Sequence, residues 1–239
     1  MRKKKHGDER LLACEEFIYR HEGKPLEDPS AEVFSTPGAP VYLEIGAGKG
    51  GFACGMTEKY PEVCYFAMER VTDCVVLAAE RAKSTDTPLR LKFVIDTADN
   101  LTRIFAPGTV DRIFLNFSDP WSKKGYAKRR LTHARYLSVY MNLLKDGGKL
   151  RFKTDNAGLF DFSLEQISMI GLIPDIVTRD LHSSEWARGN VVTEYEAAFS
   201  SKGMNINMLE LTKPFGFVID IPPELRAERI SYRDLPRDL

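Results

Sequence analysis

The chain has 239 residues, of which 43% are hydrophobic and 10% aromatic. A chain of this length buries one sizeable core and is too short for two domains of ordinary size. Its formal net charge is zero, with 34 basic and 34 acidic side chains, so the overall charge does not favour a nucleic-acid partner. No stretch approaches the ~20 consecutive apolar residues that cross a membrane, and we predict no membrane association.

Two further features bear on the compartment and on metals. The basic start, Met1–Lys5, is not followed by an apolar run, so we predict no secretory signal and a cytoplasmic protein. Cys14, Cys54, Cys64 and Cys74 lack the two-to-four-residue spacing of zinc ligands. We therefore expect reduced thiols and no metal site.

The apolar pattern becomes regular after the first 40 residues. Residues 8–20 are predicted to form a short amphipathic helix, and residues 23–40, rich in proline and glycine, an irregular lead-in. Short apolar runs that predict strands then alternate with helical stretches. The predicted strands are 41–45, 64–68, 91–95, 112–117, 149–153, 172–177 and 205–211, and the predicted helices are 50–59, 71–83, 100–105, 130–144 and 159–170.

Strands that alternate with helices predict parallel pairing with right-handed crossovers. Continuous apolar runs such as Ile113–Leu115 fit strands that are covered on both faces. We predict an open α/β fold with a helix and lead-in at 1–40, the main domain at 41–220 and a C-terminal tail at 221–239. Ligands of such sheets bind beyond the carboxyl ends of the strands, so the strand ends are the places to look for chemistry.

The first predicted strand runs into a glycine-rich turn that spans Glu44 to Gly51. Glycine lets a ligand approach the backbone closely, and the helix that follows points its N-terminus at the ligand. The Gly-x-Gly-x-Gly spacing also occurs in dinucleotide sites and in plain strand–helix turns. Glu44, Gly46 and Gly48 are therefore candidates for binding a nucleotide or nucleoside.

The next two predicted strands end in acids. Glu69 lies where an acid commonly holds ribose hydroxyls, with an exposed loop glutamate as the alternative. Asp96 is placed to accept a hydrogen bond from an adenine amino group; a helix cap is the alternative role, and Asp99 the alternative residue. Several acids without an evident phosphate-binding arginine favour a cationic nucleoside, such as S-adenosylmethionine, over a dinucleotide.

The fourth predicted strand is followed by an acid, a proline and an aromatic residue: Asp119, Pro120 and Trp121. This order resembles the loop of many enzymes that methylate ring or amino nitrogens. Proline stiffens the loop, and an aromatic face stacks on a base. Asp119 is therefore the candidate catalytic residue, and an ordinary turn with a half-buried tryptophan is the alternative.

A basic segment follows directly and contains Lys123, Lys124, Lys128, Arg129 and Arg130. Such a cluster beside a catalytic loop can neutralise RNA phosphates, although many charge runs are only solvated faces. A second basic cluster occupies residues 2–5.

Several long strings together resemble the bacterial tRNA (guanine-N7-)-methyltransferases, the TrmB family. The strings are Leu43–Gly50, Leu115–Trp121, Ala127–Thr132, Phe152–Asn156, Thr193–Glu196, Phe199–Ser200 and Lys202–Gly203. The resemblance runs from about residue 8 to residue 212, and its middle and late strings are the specific ones. The sequence departs from the family pattern at Ser122, where proline is common, and at Gly125–Tyr126, where Arg-His is common.

The resemblance implies a Rossmann-like class I fold with a mostly parallel seven-stranded sheet and helices on both faces. It implies transfer of a methyl group from S-adenosylmethionine to N7 of a guanine in the variable loop of tRNA. The implied cofactor-binding residues are Glu44, Gly46, Gly48, Glu69, Asp96 and Asp119, and Asp119 is also the implied catalytic residue. The implied substrate-binding residues are Lys123, Asp155, Thr193, Glu194, Tyr195 and Glu196, and the implied RNA-binding residues are Lys124, Gly125, Tyr126, Ala127, Lys128, Arg129 and Arg130.

Guanine N7 carries a free lone pair, so the reaction needs positioning rather than a strong base. Asp155 and Glu196 are expected to accept hydrogen bonds from the guanine N1 and N2 donors, which adenine does not match. Two rival functions stay open at this point: a small-molecule methyltransferase of the same fold, and a non-catalytic RNA-binding module. The sequence fits either a monomer or a homodimer.

Overall fold

The computed structural model describes residues 6–226. The helices are α1 (Gly7–Leu12), α2 (Pro29–Phe34), α3 (Gly51–Lys59), α4 (Thr72–Lys83), α5 (Leu101–Ile104), α6 (Ala134–Leu143), α7 (Ala157–Met169) and α8 (Glu194–Ser200). The strands are β1 (Val41–Ile45), β2 (Cys64–Met68), β3 (Leu91–Val94), β4 (Val110–Asn116), β5 (Leu144–Thr154), β6 (Ile176–Thr178) and β7 (Asn207–Thr212). Short 3₁₀ helices lie at Glu15–Phe17, Ala98–Asn100, Lys124–Arg129, Glu185–Ala187 and Pro223–Leu225.

The seven strands form one sheet in the order β3-β2-β1-β4-β5-β7-β6, which confirms the predicted fold class. The first five strands pair in parallel, and β7 runs antiparallel to both of its neighbours. The strand order reverses between β1 and β4, because β2 and β3 continue to one side of β1 while β4 and β5 continue to the other. This switch point is where an open α/β sheet leaves a crevice for a ligand.

Alternation along the buried strands sends side chains into two cores, one on each face of the sheet. On β2, Phe66 packs with α5, α6 and α7 in one core. Its neighbour Tyr65 packs with α1, α3 and α4 in the other, where Phe114 of β4 stacks on it. Helices therefore cover both faces, as the apolar runs predicted.

The N-terminal segment differs in detail from its prediction. The predicted helix at 8–20 is α1 followed by a 3₁₀ turn, and the backbone then extends so that Ile18 pairs with Phe93 of β3. The predicted irregular lead-in contains α2, which begins with Asp28 as its N-cap and Pro29 as its first residue. Both residue types favour a helix start, a signal that the nearby prolines and glycines obscured.

Other boundaries also shift. The predicted helix at 130–144 begins only at Ala134, after the 3₁₀ helix at Lys124–Arg129, and β5 begins earlier than predicted, at Leu144. The basic cluster at residues 2–5 and most of the predicted C-terminal tail lie outside the described residues. The domain limits at 40 and 220 stay predictions. Across residues 6–226, no helix combines the length and apolarity needed to cross a membrane.

Gly50 offers a test of the turn that joins β1 to α3. Its φ is +74°, and a Cβ there would lie 2.7 Å from the Cβ of Ala78. Gly108 has a similar φ of +68° with nothing within 4 Å of its added Cβ. We expect Gly108→Ala to cost about 1–2 kcal/mol for the left-handed backbone, and Gly50→Ala to cost about 1–3 kcal/mol more for overpacking. Urea unfolding of both variants measures the difference, and equal losses would contradict the close packing.

Candidate active site

A cavity of about 950 Å³ opens at the carboxyl ends of the strands, at the switch point between β1 and β4. It brings together residues that lie far apart in the chain. All the residues predicted to bind the cofactor line it: Glu44, Gly46, Gly48, Glu69, Asp96 and Asp119. Predicted substrate and RNA residues line it as well: Thr193, Glu194, Tyr195 and Arg129.

The glycine turn fixes the position of Glu69. Gly46 and Gly48 have φ values of 84° and 55°, a backbone conformation that glycine adopts without steric cost. This turn aims the Gly48 amide at Glu69, whose Oε2 accepts its hydrogen bond at 3.0 Å. Glu69 Oε1 accepts a second one from the Val71 amide at 2.9 Å. A carboxylate held in this way keeps lone pairs for hydroxyl donors such as those of a ribose.

Glu44 ends β1 as a buried acid, and Asn116 of β4 donates to its Oε1 at 2.9 Å. Burial raises the pKa of Glu44 to about 7, against the opposing effects of Asn116 and Lys153. Within residues 6–226, Glu44 Oε2, Asn116 Oδ1 and Ser118 Oγ are buried and have no hydrogen-bond partner. Unpartnered acceptors beside a buried carboxylate fit a cationic ammonium donor, which the amino-acid tail of S-adenosylmethionine supplies.

Both candidates for an adenine contact line the cavity, and both already accept hydrogen bonds from other protein groups. Asp96 accepts hydrogen bonds from the Thr97 amide at 2.6 Å and from Asn100 Nδ2 at 2.8 Å, and its Oδ2 lies 2.8 Å from His21 Nε2. Burial acts to raise the pKa of Asp96, but the bonds from His21 and Asn100 outweigh it and leave the pKa lowered. Asp99 Oδ1 accepts from the side chains of Arg135 and Tyr136. Which of the two acids contacts the cofactor stays a prediction.

The loop after β4 holds Asp119 in an exposed position on strained backbone. Phe117 and Trp121 have φ values of 50° and 42°, which non-glycine residues rarely adopt. Arg130 clamps the loop, because its guanidinium donates to the carbonyls of Pro120 at 2.9 Å and Trp121 at 3.1 Å. The side chain of Asp119 is 68% exposed, and its nearest cation is Arg70 at 3.6 Å. Backbone strain of this kind concentrates at functional sites.

Two groups of aromatic side chains stand at the cavity mouth. Arg129 lies over the rings of Trp121 and Tyr126, at 5.1 and 4.7 Å from their centroids. In the second group, Phe117 stacks on Tyr195 with 6.4 Å between ring centroids and 19° between planes. Tyr195 is 63% exposed, so its outer face is open to a base.

The helix that carries Tyr195, α8, was missing from the sequence prediction. It begins with a capping box, in which the Thr193 hydroxyl accepts from the Glu196 amide and Glu196 reaches back to the Thr193 amide. The Thr-x-x-Glu spacing is a helix-start signal, although only a short apolar pattern follows it. Glu196 is fully buried, and its Oε2 binds Lys153 Nζ at 2.6 Å.

Lys153 is a residue that the sequence reasoning did not assign. It lies in the buried C-terminal part of β5 with 1% exposure, and it donates to Asn190, to the Val191 carbonyl and to Glu196. Burial lowers the pKa of Lys153, while Glu196 opposes that shift. Lys153 alternates with Lys149 and Arg151 along the strand, so the sequence held no signal that this lysine alone is buried. Lys153 anchors the segment that leads into α8.

The remaining predicted residues lie around the cavity rather than in its wall. Glu196 is buried with both oxygens bound by protein groups, so its predicted contact with guanine stays untested and would compete with Lys153 and Asn190. Asp155 is half-buried just after β5. Lys123, Lys124, Gly125, Tyr126 and Lys128 are exposed, and Ala127 is half-buried; apart from Lys123 they form the 3₁₀ helix after the Asp119 loop.

The metal and thiol predictions concern the whole molecule. Within residues 6–226, no group of three or more His, Cys, Asp or Glu side chains is arranged to hold a metal ion. All four cysteines are free, and Cys74 is half-buried in the cavity wall.

Comparison with known proteins shows the family to which the chain belongs. The model of a family described as "Putative methyltransferase" matches residues 38–209. The tRNA (guanine-N(7)-)-methyltransferase of Halalkalibacterium halodurans is 45% identical over 172 residues, which cover 72% of this chain and 77% of that protein. The chain belongs to this methyltransferase family. The enzyme of the same description from Bacillus subtilis is 42% identical, over 72% of this chain and 80% of its own length.

Solved structures confirm the class I methyltransferase fold. The 16S rRNA methyltransferase KamB superposes with a TM-score of 0.58 at 13% identity, covering 81% of this chain and 98% of that one. A 16S rRNA (adenine(1408)-N(1))-methyltransferase from Catenulisporales acidiphilia, described with SAM, gives 0.52 at 14% identity, covering 91% of this chain and 96% of that one. Membership of the family identifies the protein as an enzyme with S-adenosylmethionine as its cofactor.

The raised pKa of Glu44 gives a test that separates function from stability. The unfolded value is near 4.5 and the folded value about 7, so the folded protein retains a proton that the unfolded chain releases. Ionisation of the buried Glu44 carboxylate therefore lowers the free energy of unfolding as the pH rises from 4.5 to about 7. Above that pH the full loss of stability is present. We expect Glu44→Gln to raise the melting temperature at pH 8 and to weaken S-adenosylmethionine binding, as measured by thermal unfolding and calorimetry.

Glu210 of β7 is the matched control, because it is equally buried but paired with Lys149 and Arg151. Burial acts to raise its pKa, yet these cations outweigh it and lower the pKa. Glu210 therefore contributes stability above its unfolded pKa, and Glu210→Gln should lower the melting temperature at pH 8. Loss of stability in both variants at pH 8 would contradict the raised pKa of Glu44 and the cost of its buried carboxylate.

Proposed function

We propose that this protein transfers the methyl group of S-adenosylmethionine to N7 of a guanine in the variable loop of tRNA, in the cytoplasm. The observation that carries the proposal is the large cavity at the switch point, which joins the buried carboxylate of Glu44 to the exposed carboxylate of Asp119. Its macromolecular partner is tRNA, which the basic 3₁₀ helix beside that mouth would bind.

The acids at the strand ends hold the cofactor in this proposal. The unpartnered oxygen of Glu44 binds the ammonium group, and Glu69 accepts hydrogen bonds from the ribose hydroxyls. Asp96 or Asp99 accepts a hydrogen bond from the adenine amino group. When bound, S-adenosylmethionine supplies an electrophilic methyl carbon on its sulfonium. The surrounding carboxylates favour that cation over the neutral product, which would assist release.

The residues at the mouth position the guanine. Tyr195, backed by Phe117, offers a rigid face for stacking, and Asp155 would accept hydrogen bonds from the N1 and N2 donors. The N7 lone pair needs no deprotonation, so no general base is assigned. Positive charge develops on the purine as N7 gains a methyl group, and the fixed carboxylate of Asp119 stabilises it.

The basic segment divides into two roles. Lys124 and Lys128 are exposed and have no ion-pair partner among residues 6–226, so their charges are available to phosphates. Arg130 is committed to the Asp119 loop, and Arg129 lies against aromatic rings. Arg130 therefore acts by positioning the loop, while the lysines contact RNA.

Replacing Asp119 tests the catalytic assignment. Since its side chain is exposed, Asp119→Ala should change the free energy of unfolding by less than ~0.5 kcal/mol. We expect tRNA methylation to fall by about 100-fold or more, because the charge stabilisation is lost. Nucleoside mass analysis of tRNA after incubation with the cofactor measures the product. Asp161→Ala, another exposed aspartate paired with an arginine, is the control and should stay fully active; near-normal turnover by Asp119→Ala would remove it from the mechanism.

Removing Lys124 and Lys128 together tests the RNA-binding role. The double alanine variant should bind tRNA more weakly and should lower the slope of log affinity against log salt by about one to two. S-adenosylmethionine affinity should not change. Lys24→Ala, at an exposed lysine on the N-terminal segment, is the control. Filter binding of tRNA at several salt concentrations gives both slopes, and an unchanged slope in the double variant would make the segment a plain solvated surface.

A further inference from the structure

A second, smaller cavity of about 110 Å³ opens on the face of the sheet that carries α3. Phe52 of α3 lines both this cavity and the large one, so the two are neighbours. Its charged lining consists of cations only: Arg112, Arg151 and Lys153. Tyr42 and Tyr60 add two phenol groups, and Asn190 adds an amide. None of the residues in its wall is acidic.

The strand register explains the excess of positive charge. Arg112 of β4 stands directly opposite Lys149 of β5, and directly opposite residues point to the same face of a sheet. Like charges on one face of neighbouring strands repel each other. Arg151 lies two residues further along β5 on that same face and opposite Glu210 of β7.

One carboxylate serves this whole group. Glu210 binds Lys149 at 2.7 Å and Arg151 at 2.6 Å. Arg112 has no carboxylate within ion-pair distance in the part of the chain that the structure describes, and its guanidinium lies 5.8 Å from the centroid of the Tyr42 ring. The three cations and one acid leave two positive charges uncompensated. Lys153 adds nothing to this excess, because Glu196 neutralises it.

The cavity also adjoins the proposed substrate path. Gly189, Asn190 and Val191 form one wall, and the chain continues from them to Thr193 and Tyr195 in the wall of the large cavity. Lys59 donates to the Gly189 carbonyl at 2.6 Å, and Lys153 holds Asn190, so this wall is fixed from both sides. The two cavities therefore flank one short segment of the chain, and an RNA bound at Tyr195 would lie beside it.

We propose that this cavity binds a backbone phosphate of the RNA substrate, with the guanidinium of Arg112 as the principal ligand. A planar guanidinium forms two parallel hydrogen bonds to phosphate, and the neighbouring phenols and Arg151 supply further donors. The juxtaposed cations lower the stability of the sheet, and a bound phosphate relieves their repulsion. This contact is separate from the basic 3₁₀ helix, and it rests on the proposed function because it assumes an RNA substrate.

The test compares Arg112→Gln with the wild type and with Arg179→Gln, an exposed arginine paired with Asp161. Binding of an unmodified tRNA transcript is measured at several salt concentrations with S-adenosylmethionine present. Arg112→Gln should weaken binding by about 3- to 10-fold and should lower the salt slope by about one, the amount expected for one lost phosphate contact. Arg179→Gln should change neither quantity, and cofactor affinity should be the same in all three proteins.

Measurements of stability, methylation and phosphate binding complete the test. Melting temperatures show that Arg112→Gln is folded, since removal of a like-charge pair should not lower stability. An unchanged salt slope in Arg112→Gln, with wild-type tRNA methylation intact, overturns this inference and leaves the proposed function standing. Absence of tRNA methylation by the wild type overturns the proposed function itself. Thermal shifts with inorganic phosphate distinguish the source: stabilisation that depends on Arg112 without any effect on tRNA binding assigns the site to a free anion and overturns the RNA contact.

Discussion

The position of β1 between β2 and β4 is the constraint on which the rest of the site depends. Parallel pairing on both sides places the carboxyl ends of three strands at one edge, so Glu44, Glu69 and Asn116 meet there although the chain separates them widely. The strand order reverses at this point, so the connections on the two sides lead away from each other and leave a crevice. The cavity is therefore a consequence of topology, and the side chains at the strand ends give it chemistry.

The site holds several features that work against stability. Glu44 is buried beside an amide rather than in an ion pair, and its carboxylate leaves one oxygen unsatisfied. The loop with Asp119 keeps Phe117 and Trp121 in left-handed conformations, and Arg130 holds the end of this loop through the carbonyls of Pro120 and Trp121. Local costs of this kind persist when function needs them and the surrounding packing over-determines the conformation. The well-packed cores on both faces of the sheet provide that support.

A buried ion pair connects the sheet to the proposed substrate side of the cavity. Lys153 and Glu196 have 1% and 0% side-chain exposure, and each makes further hydrogen bonds to the segment around Asn190. Burial of both charges is costly, so the pair is better understood as a device for geometry than as a source of stability. It fixes the start of α8 and with it the exposed ring of Tyr195. The same segment forms one wall of the small cationic cavity.

Periodicity and strand-end chemistry in the sequence determined the parallel sheet, the glycine turn and the acids that converge on one cavity, because these depend on local patterns of two to ten residues. The family resemblance added the predicted tRNA substrate, which is also the one in the descriptions of the relatives. Only the tertiary structure decided the roles of Lys153, Glu196 and Arg130, since whether a charged side chain is buried, paired or free depends on partners far away in the chain. The pairing of Arg112 with Lys149 could not be predicted from the sequence either, because strand register follows from packing across the whole sheet.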